Sequence, residues 1–353
     1  MKTLKGIITI VSFLLVGVAT AIFIGFGNSF SPEPTAIDHE LQGLNEKYTI
    51  KFSHVVAENT PKGIAASMFA QLVKEKTNGW VEVQVFPNGV LTDAQGEFEA
   101  LKKNKVQMIA PAISEITVHD PKWTVMDLPF VFENEEMVEQ AFDGRLGELL
   151  FKSIEKYDYK GLAFWENSFK QFTNNIRPVQ EPVDMQGLSV RTMPSPLLLD
   201  MYQILGAQPQ SFSFNEIYEA LRNEHIDGIE NTLSNIYSKG LYQQQKYMTV
   251  SNHNYLGYAV LMDREVWDSL PVQHQNSLME ALDEVATWLR KYAKEHNKDM
   301  LEEAEDSGSL EIHYLTENER DLWKEAMKPI YDKYEPIIGE EIMGEVRKLQ
   351  ADR

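Results

Sequence analysis

Hydrophobic and polar positions follow two periods in the chain from about residue 47 onward. Strands are predicted where apolar side chains recur at every second position or form a short run, at 48–52, 81–85 and 106–112. Helices are predicted from Pro61, after the capping residues Asn59 and Thr60, to about Asn78, and over about 93–103. This alternation of strands and helices indicates an open α/β layer.

A second α/β segment follows in the later half of the chain. Apolar runs predict strands at 162–165, 188–192 and 255–262. Helices are predicted over 195–205 and 216–223, the second one capped by Asn215. The repeated order indicates two lobes, which is consistent with a chain of 353 residues.

One helix is predicted to be much longer than the others. Residues 271–307 contain no internal proline or glycine and keep one apolar stripe. A helix of ~35 residues is ~50 Å long, which exceeds the length of a small lobe, so we expect it to run along both lobes. Two lobes between which the chain crosses form a hinged clamp, a common enclosure for a small ligand.

The N-terminal segment has the features of an export signal. Lys2 and Lys5 precede an uncharged run over 6–30, and a run of ~20 apolar residues spans ~30 Å as a helix. Residues 19–21 resemble a cleavage site, but the apolar run continues past them. We expect residues 1–30 to be an uncleaved membrane anchor that places the body outside the cytoplasm, with a linker over 31–46. A cleaved signal peptide and a buried globular helix are the alternatives.

Composition excludes several classes of function. The net charge of -20 argues against nucleic acid as a partner, and any affinity for an anion requires a local cationic site. The chain has no cysteine, so it has no disulfide, thiol nucleophile or lipid-modified cysteine. Its eight histidines form no spaced ligand set, so we expect neither a metal nor another cofactor.

Three polar residues at element boundaries form the candidate site. Arg191 lies at the end of a predicted strand, where open α/β sheets bind ligands, and its guanidinium can hold a carboxylate through two hydrogen bonds. Lys170 adds a second positive charge, and Asn231 adds an amide donor after the turn at Asp227 and Gly228. The alternatives are an internal ion pair for Arg191, a solvated lysine for Lys170 and a helix N-cap for Asn231.

Further residues are weaker candidates. Phe214 and Tyr237 belong either to the core or to the wall of a pocket. His54 and Ser114 each follow a predicted strand of the first lobe, from which they can close on the ligand. The chain has no G-x-S-x-G, G-x-G-x-x-G, P-loop or H-E-x-x-H motif, so we do not expect an enzyme.

Short motifs, taken in order, carry a family resemblance. They read F-S-H-V-V-A-E-N-T-P-K-G, F-A-Q-L-V-K-E-K-T-N-G, F-P-N-G-V-L, D-L-P-F-V-F, G-L-S-V-R, L-G-A-Q-P and D-G-I-E-N-T. From about Lys51 to Ile338 the chain resembles the DctP-type extracytoplasmic solute-binding proteins of TRAP dicarboxylate transporters. It is most similar to the DctB-type C4-dicarboxylate-binding proteins of Bacillus-like bacteria, which likewise lack a lipobox cysteine.

The resemblance implies a fold and a set of roles. The fold is a two-lobed α/β clamp like that of periplasmic binding proteins, with crossing hinge strands and one long helix over both lobes. Arg191 matches the family's carboxylate-binding arginine, Asn231 the asparagine of D-G-x-E-N, and Phe214 the aromatic residue against the ligand. Lys170 stands where many members have arginine, which keeps the charge and loses the planar fork. The expected lobes are 47–167 with 257–296 (lobe I) and 168–256 with 297–350 (lobe II).

The function expected from this resemblance is that of a receptor. It would bind a small carboxylate, a C4-dicarboxylate such as succinate, fumarate or malate, and deliver it to membrane transporter subunits. One alternative is a ligand-binding co-sensor in two-component signalling, which would act beside a membrane sensor kinase or a permease. Another is a surface hydrolase of an acidic substrate, which lacks a recognised motif.

Overall fold

The computed structural model of the protein describes residues 46–351. The predicted anchor over 1–30 and the linker up to residue 45 therefore lie outside the described residues. Within residues 46–351, no helix has both the length and the apolar character that a membrane span requires. The described chain contains two β-sheets, and helices pack around them.

The first sheet has five strands in the order β2-β1-β3-β10-β4. Its strands are β1 (Tyr48–Ser53), β2 (Val81–Phe86), β3 (Met108–Ile109), β4 (Tyr159–Phe169) and β10 (Tyr255–Asp263). β1 runs parallel to β2 and β3, whereas β10 runs antiparallel to β3 and β4.

The second sheet has six strands in the order β11-β9-β5-β8-β6-β7. Its strands are β5 (Gln171–Asn174), β6 (Ser189–Thr192), β7 (Gln208–Ser211), β8 (Gly228–Asn231), β9 (Tyr247–Val250) and β11 (Glu311–Tyr314). β6 runs parallel to both β7 and β8, so the carboxyl ends of these three strands lie at one edge of the sheet.

Twelve helices are present in the described chain. They are α1 (Pro61–Lys76), α2 (Glu97–Lys102), α3 (Ile113–Ile116), α4 (Glu135–Asp143), α5 (Arg145–Ile154), α6 (Pro196–Ile204), α7 (Ile217–Arg222), α8 (Leu233–Ser238), α9 (Arg264–Ser269), α10 (Val272–Ser307), α11 (Glu317–Ile338) and α12 (Glu340–Ala351). Short 3₁₀ helices occupy Pro121–Asp127, Glu155–Tyr157, Pro182–Met185 and Leu241–Gln244.

The start of α1 follows from its local sequence. The Thr60 hydroxyl accepts a hydrogen bond from the Gly63 amide at 3.1 Å, and Pro61 occupies the first turn, where its missing amide costs nothing. A Cβ at Gly63 would lie 2.2 Å from the Ala57 carbonyl oxygen. Glycine is therefore needed at position 63, because the loop after β1 passes close to the first turn of the helix.

The chain crosses between the sheets at two adjacent points. β4 ends at Phe169 in the first sheet and β5 begins at Gln171 in the second, so Lys170 is the single connecting residue. The return crossing runs over 251–254, between β9 and β10. The Lys170 amide donates to the Asn254 carbonyl at 2.7 Å and so joins the two crossings. The predicted crossing strands are confirmed.

Helix α10 confirms the predicted long helix and spans both lobes. It packs against α1 and β4 on the side of the first sheet and against α8 on the side of the second. Arg290 of this helix binds Glu166 of β4 at 2.5 Å and Glu139 of α4 at 2.7 Å. The final helix, α12, packs against α4 and α5. The boundaries of the two lobes stay a prediction.

Some local predictions were wrong in extent or in detail. β3 has two residues instead of the seven predicted over 106–112, and Pro111 lacks the amide that a continued ladder requires. Helix α2 is shorter than predicted, because the Gly96 amide bonds the Asp93 side chain in a turn at 2.8 Å. Asn215 does not cap α7: its amide donates to the Asn88 carbonyl at 3.2 Å, across the cleft between the lobes.

Candidate functional site

A cavity lies between the two lobes, at the carboxyl edge of β6 and β8. The empty space among its lining atoms, including space that is open to solvent, is about 420 Å³. Its apolar wall consists of Val55, Val56, Ala94, Ala112, Met193, Phe214 and Leu256. Its polar residues are Lys62, Glu97, Glu115, Arg191, Asn231, Asn235 and Tyr258.

Successive side chains of a β-strand point to opposite faces of the sheet, and this alternation decides which side chains of β6 and β8 reach the cavity. β6 and β8 pair in parallel with Arg191 opposite Ile229, so Arg191 and Asn231 project from the same face. Both line the cavity. Thr192 and Glu230 alternate with them and project from the other face, where the Thr192 hydroxyl donates to Glu230 at 3.1 Å.

Arg191 is a buried cation without a carboxylate partner. Its side chain is 1% exposed, and its Nε donates to the Phe212 carbonyl at 3.0 Å. In the described part of the chain, its two Nη groups make no hydrogen bond and no carboxylate oxygen lies within 4.0 Å. Burial lowers the pKa of Arg191, against the opposing charges of Glu115 and Glu230, but a guanidinium remains charged. An anion is therefore the complementary occupant.

Asn231 presents a donor, and Phe214 presents a flat apolar face. The Asn231 Oδ1 accepts hydrogen bonds from the Thr232 amide at 2.9 Å and from Asn235 Nδ2 at 3.0 Å. These two bonds fix the amide orientation, so the group that Asn231 can offer to a ligand is its Nδ2 donor. Phe214 is buried in the cavity wall, and Lys239 Nζ lies 5.1 Å from its ring centroid.

Lys62 is a second buried cation in the cavity, which sequence reasoning missed. It lies in the first turn of α1, on the first lobe, and is 1% exposed. Its Nζ donates to the Ala110 carbonyl at 2.9 Å and lies 3.9 Å from the centroid of the Tyr258 ring. Burial lowers the pKa of Lys62 to about 8, although Glu97 and Glu115 act in the opposite direction. The only sequence signal was its place within the motif N-T-P-K-G.

Lys170 lies on the other face of the second sheet and does not line the cavity. Its Nζ contacts Glu230 at 3.2 Å, and both side chains are fully buried. The same carboxylate accepts from Tyr202 at 3.2 Å and lies 3.1 Å from His253 Nε2. Burial raises the pKa of Glu230, but Lys170 and His253 outweigh it and lower the pKa to about 2. Lys170 therefore already has an anionic partner within the protein.

Three other predicted site residues do not line the cavity either. His54 is buried, and burial together with the charge of Lys62 lowers its pKa to about 3, so it carries no charge at neutral pH. The Ser114 hydroxyl donates to Asp127 at 2.6 Å. Tyr237 stacks on Tyr242 with a centroid distance of 4.5 Å. Their sequence neighbours Val55 and Glu115 reach the cavity instead.

Residues 52–336 match the DctP family, which is described as bacterial extracellular solute-binding protein, family 7. The chain belongs to this family. The predicted resemblance and the class of solute receptor are thereby confirmed, and the extracytoplasmic location is that of the family.

Relatives and solved structures agree with this assignment. The C4-dicarboxylate-binding protein DctB of Bacillus subtilis is 42% identical over 349 residues, which cover 99% of this chain and 100% of DctB. A TRAP periplasmic solute-binding protein of Sulfurospirillum deleyianum, solved with bound succinate, has a TM-score of 0.82 at 38% identity, and covers 87% of this chain and 100% of its own. The sugar acid binding protein DctPAm of Advenella mimigardefordensis, solved with galactonate, has a TM-score of 0.84 at 27% identity, over 87% of this chain and 99% of its own.

Proposed function

We propose that this protein binds a C4-dicarboxylate such as succinate, fumarate or malate and delivers it to the membrane subunits of a TRAP transporter. The Bacillus subtilis relative, named for C4-dicarboxylate binding, and the succinate-bound structure both support this ligand class. Arg191 carries the proposal. A buried charge without a partner is costly, and the structure retains one at the wall of the cavity between the lobes.

The geometry suits a ligand with two carboxylates. Arg191 and Asn231 lie at the carboxyl edge of the second sheet, and Lys62 approaches from α1 on the first lobe. One carboxylate is held by Arg191 and the Asn231 amide, and the other by Lys62. Phe214 packs against the carbon chain between them. A monocarboxylate leaves one of the two buried cations unpaired, so the arrangement favours dicarboxylates.

Binding is coupled to closure of the lobes. The ligand bridges cations from two lobes, so its differential affinity for the closed form shifts the population toward closure. Closure excludes water, which strengthens both ion pairs. It also changes the outer surface, by which the membrane subunits distinguish the loaded receptor from the empty one.

The remaining predicted site residues take indirect roles in this proposal. Lys170 positions β8 through Glu230, and a direct contact with the ligand would require that the Lys170–Glu230 pair be broken. Ser114 positions the segment that carries Glu115. His54 and Tyr237 support the loops behind the cavity wall.

The attachment and the partner are also proposals. An uncleaved helix within residues 1–30 would keep the receptor at the outer face of the membrane, beside its transporter. The succinate-bound neighbour is a TRAP periplasmic solute-binding protein, which supports a transporter as the partner. The hydrolase alternative has no support from a family of solute-binding proteins.

Calorimetric titration of the full-length chain with a ligand panel tests the proposal. The panel contains succinate, fumarate and malate, with galactonate as the sugar-acid control. We expect dissociation constants in the micromolar range for the dicarboxylates, about −8 kcal/mol, and no measurable binding of galactonate. Galactonate binding alone would show that the cavity takes sugar acids, and the dicarboxylate proposal would have to be abandoned.

A further inference from the structure

The cavity contains two buried carboxyl groups that the proposed function does not use. Glu97 of α2 is 0% exposed, and Glu115 of α3 is 5% exposed. Both line the same cavity as Lys62 and Arg191. Among the described residues, neither has a cationic nitrogen within 4.0 Å, and both oxygens of Glu97 lack a hydrogen-bond donor. Two acids in an anion-binding cavity require an explanation.

The charges of the cavity balance only in one protonation state. Lys62 and Arg191 contribute two positive charges. If Glu97 and Glu115 are both ionised, a bound dianion leaves two uncompensated negative charges in a buried site, which is strongly unfavourable. If both carboxyls are protonated, the cations and the dianion compensate one another. A protonated carboxyl also supplies an O–H donor for a ligand oxygen.

We propose that the cavity takes up protons together with its ligand, and that Glu97 and Glu115 are protonated hydrogen-bond donors in the bound state. This inference rests on the proposed dicarboxylate function and adds to it a defined ionic form of the complex. It assigns Glu97 and Glu115 to ligand binding, because each protonated carboxyl can donate a hydrogen bond to a carboxylate oxygen of the ligand.

The surroundings of the two carboxyls support this assignment. The charged groups that face them from the packed elements are Lys62, Asp93, Asp127 and Arg191, together with each other. Burial raises the pKa of Glu97 to about 8, against the charge of Lys62. Burial likewise raises the pKa of Glu115 to about 7, against Arg191. A nearby dianion raises both pKa values further, so protons bind with the ligand near neutral pH.

Linkage gives the sign of the pH dependence. A complex that binds more protons than its free components becomes weaker as the pH rises. The second carboxyl of succinate titrates somewhat above an isolated carboxyl because the first one is already ionised, but succinate is mainly a dianion between pH 6.5 and 9. Over that range, each linked carboxyl lowers the affinity by up to about tenfold per pH unit above its own pKa. We expect affinity to change little between pH 6.5 and 7 and to fall above pH 7.

Deprotonation of Lys62 would also weaken binding as the pH rises. Its pKa is about 8, so it loses its charge between pH 7 and 9. The Glu97→Gln and Glu115→Gln variants separate the two. If the carboxyls take up the protons, these substitutions flatten the dependence on pH. If Lys62 causes the loss of affinity, the two substitutions remove carboxylates that favour its charged form and so lower its pKa. The loss of affinity then begins at a lower pH. In the Lys62→Arg variant, residue 62 stays charged from pH 6 to 9. Proton uptake on ligand binding therefore persists in this variant only if Glu97 and Glu115 are the groups that take up the protons.

The experiment is calorimetry of the full-length protein with succinate from pH 6 to 9, in two buffers of different ionisation enthalpy. The expected result is proton uptake by the wild type and a steep loss of affinity above pH 7. The double variant Glu97→Gln/Glu115→Gln should lose this slope and bind more tightly than the wild type at pH 8.5. Glu99→Gln, on the exposed side of α2, is the matched control and should keep the slope.

Each contrary result has its own meaning. Succinate binding without proton uptake overturns this inference and leaves the dicarboxylate receptor intact. A slope that persists in the double variant, or that moves to lower pH, assigns the titration to Lys62 and also overturns it. If the double variant does not fold, the decision rests on Lys62→Arg, in which loss of proton uptake is the contrary result. Absence of succinate binding at every pH removes the dicarboxylate proposal, and the inference with it.

Discussion

Replacing Lys62 by methionine tests whether the ligand bridges the two lobes. Methionine keeps the length of the side chain and removes the charge, which lies at Nζ, 2.9 Å from the Ala110 carbonyl. In the proposed complex this charge pairs with the carboxylate that Arg191 does not hold. We therefore expect Lys62→Met to weaken the binding of succinate much more than that of butyrate, which has one carboxylate.

The magnitude follows from the burial of Lys62. Two unit charges 4 Å apart interact by about 4 kcal/mol at an effective dielectric constant of about 20. Part of this loss is offset, because the methionine variant does not have the cost of keeping an ammonium group away from water. The net loss of binding free energy is then about 2–4 kcal/mol. At 1.4 kcal/mol per factor of ten, succinate should bind ~30- to 1,000-fold more weakly. Glu97 becomes easier to protonate when Lys62 is absent, so it adds no new negative charge.

The assay is a double comparison of two proteins and two ligands by calorimetry, with displacement titration for the weaker ligand. Lys74→Met, on the exposed side of α1, is the matched control and should leave both affinities unchanged. Circular dichroism verifies that each variant is folded. Equal losses for succinate and butyrate would refute the reasoning, because Lys62 would then act on the shape of the cavity and not on a second carboxylate.

Three further predictions concern the buried charges of the second lobe. Arg191→Ala should weaken succinate binding by about 2–5 kcal/mol in calorimetry, because the ligand carboxylate stays buried and unpaired. The exposed Arg222→Ala is the control and should leave the affinity unchanged. Equal affinities for the two variants would show that the site is assigned wrongly. Lys170→Met should lower the free energy of unfolding in urea by about 3–5 kcal/mol, since Glu230 is left as a buried charge, and the exposed Lys246→Met is its control. Because the pKa of Glu230 is lowered to about 2, its contribution in the wild type is present above pH ~4.5 and is lost as the pH falls toward 2, so an unfolding free energy that is flat over this interval would contradict the ion pair.

The parts of the site that the sequence predicted are those that depend on local pattern. The alternation of apolar residues predicts a strand that ends near Arg191. Ligands of open α/β sheets bind at the carboxyl ends of the strands, so this position predicts a ligand contact. Asn231 is predicted only from the turn at Asp227 and Gly228, and the structure places it at the end of the parallel strand β8, at the same edge as Arg191. The long helix α10 was predicted within one residue at its start, because its apolar stripe runs without a proline or glycine.

The parts that could not be predicted depend on contacts far apart in the sequence. Lys62 follows a helix start and has the pattern of a surface lysine. It is buried among residues distant in the sequence, which include Tyr258 of β10 and Ala110. Glu97 belongs to a chain with 53 acidic residues, and nothing local separates it from the exposed Glu99 two positions later. The pairing of Lys170 requires knowledge of which face of β8 Glu230 occupies, and a single residue of register reverses that face.

The alternation within β6 and β8 joins the ligand site to the hinge. Arg191 and Asn231 project from one face into the cavity, while Thr192 and Glu230 project from the other face toward Lys170, the residue at which the chain crosses between sheets. A ligand that pulls on Arg191 therefore acts on strands whose opposite face is bonded to the crossing point. Because breaking a bond in this buried network would leave a charged group unpaired, we expect movement of these strands to be accompanied by movement at Lys170. In the proposed mechanism, the two faces of these two short strands therefore couple ligand binding to closure of the lobes.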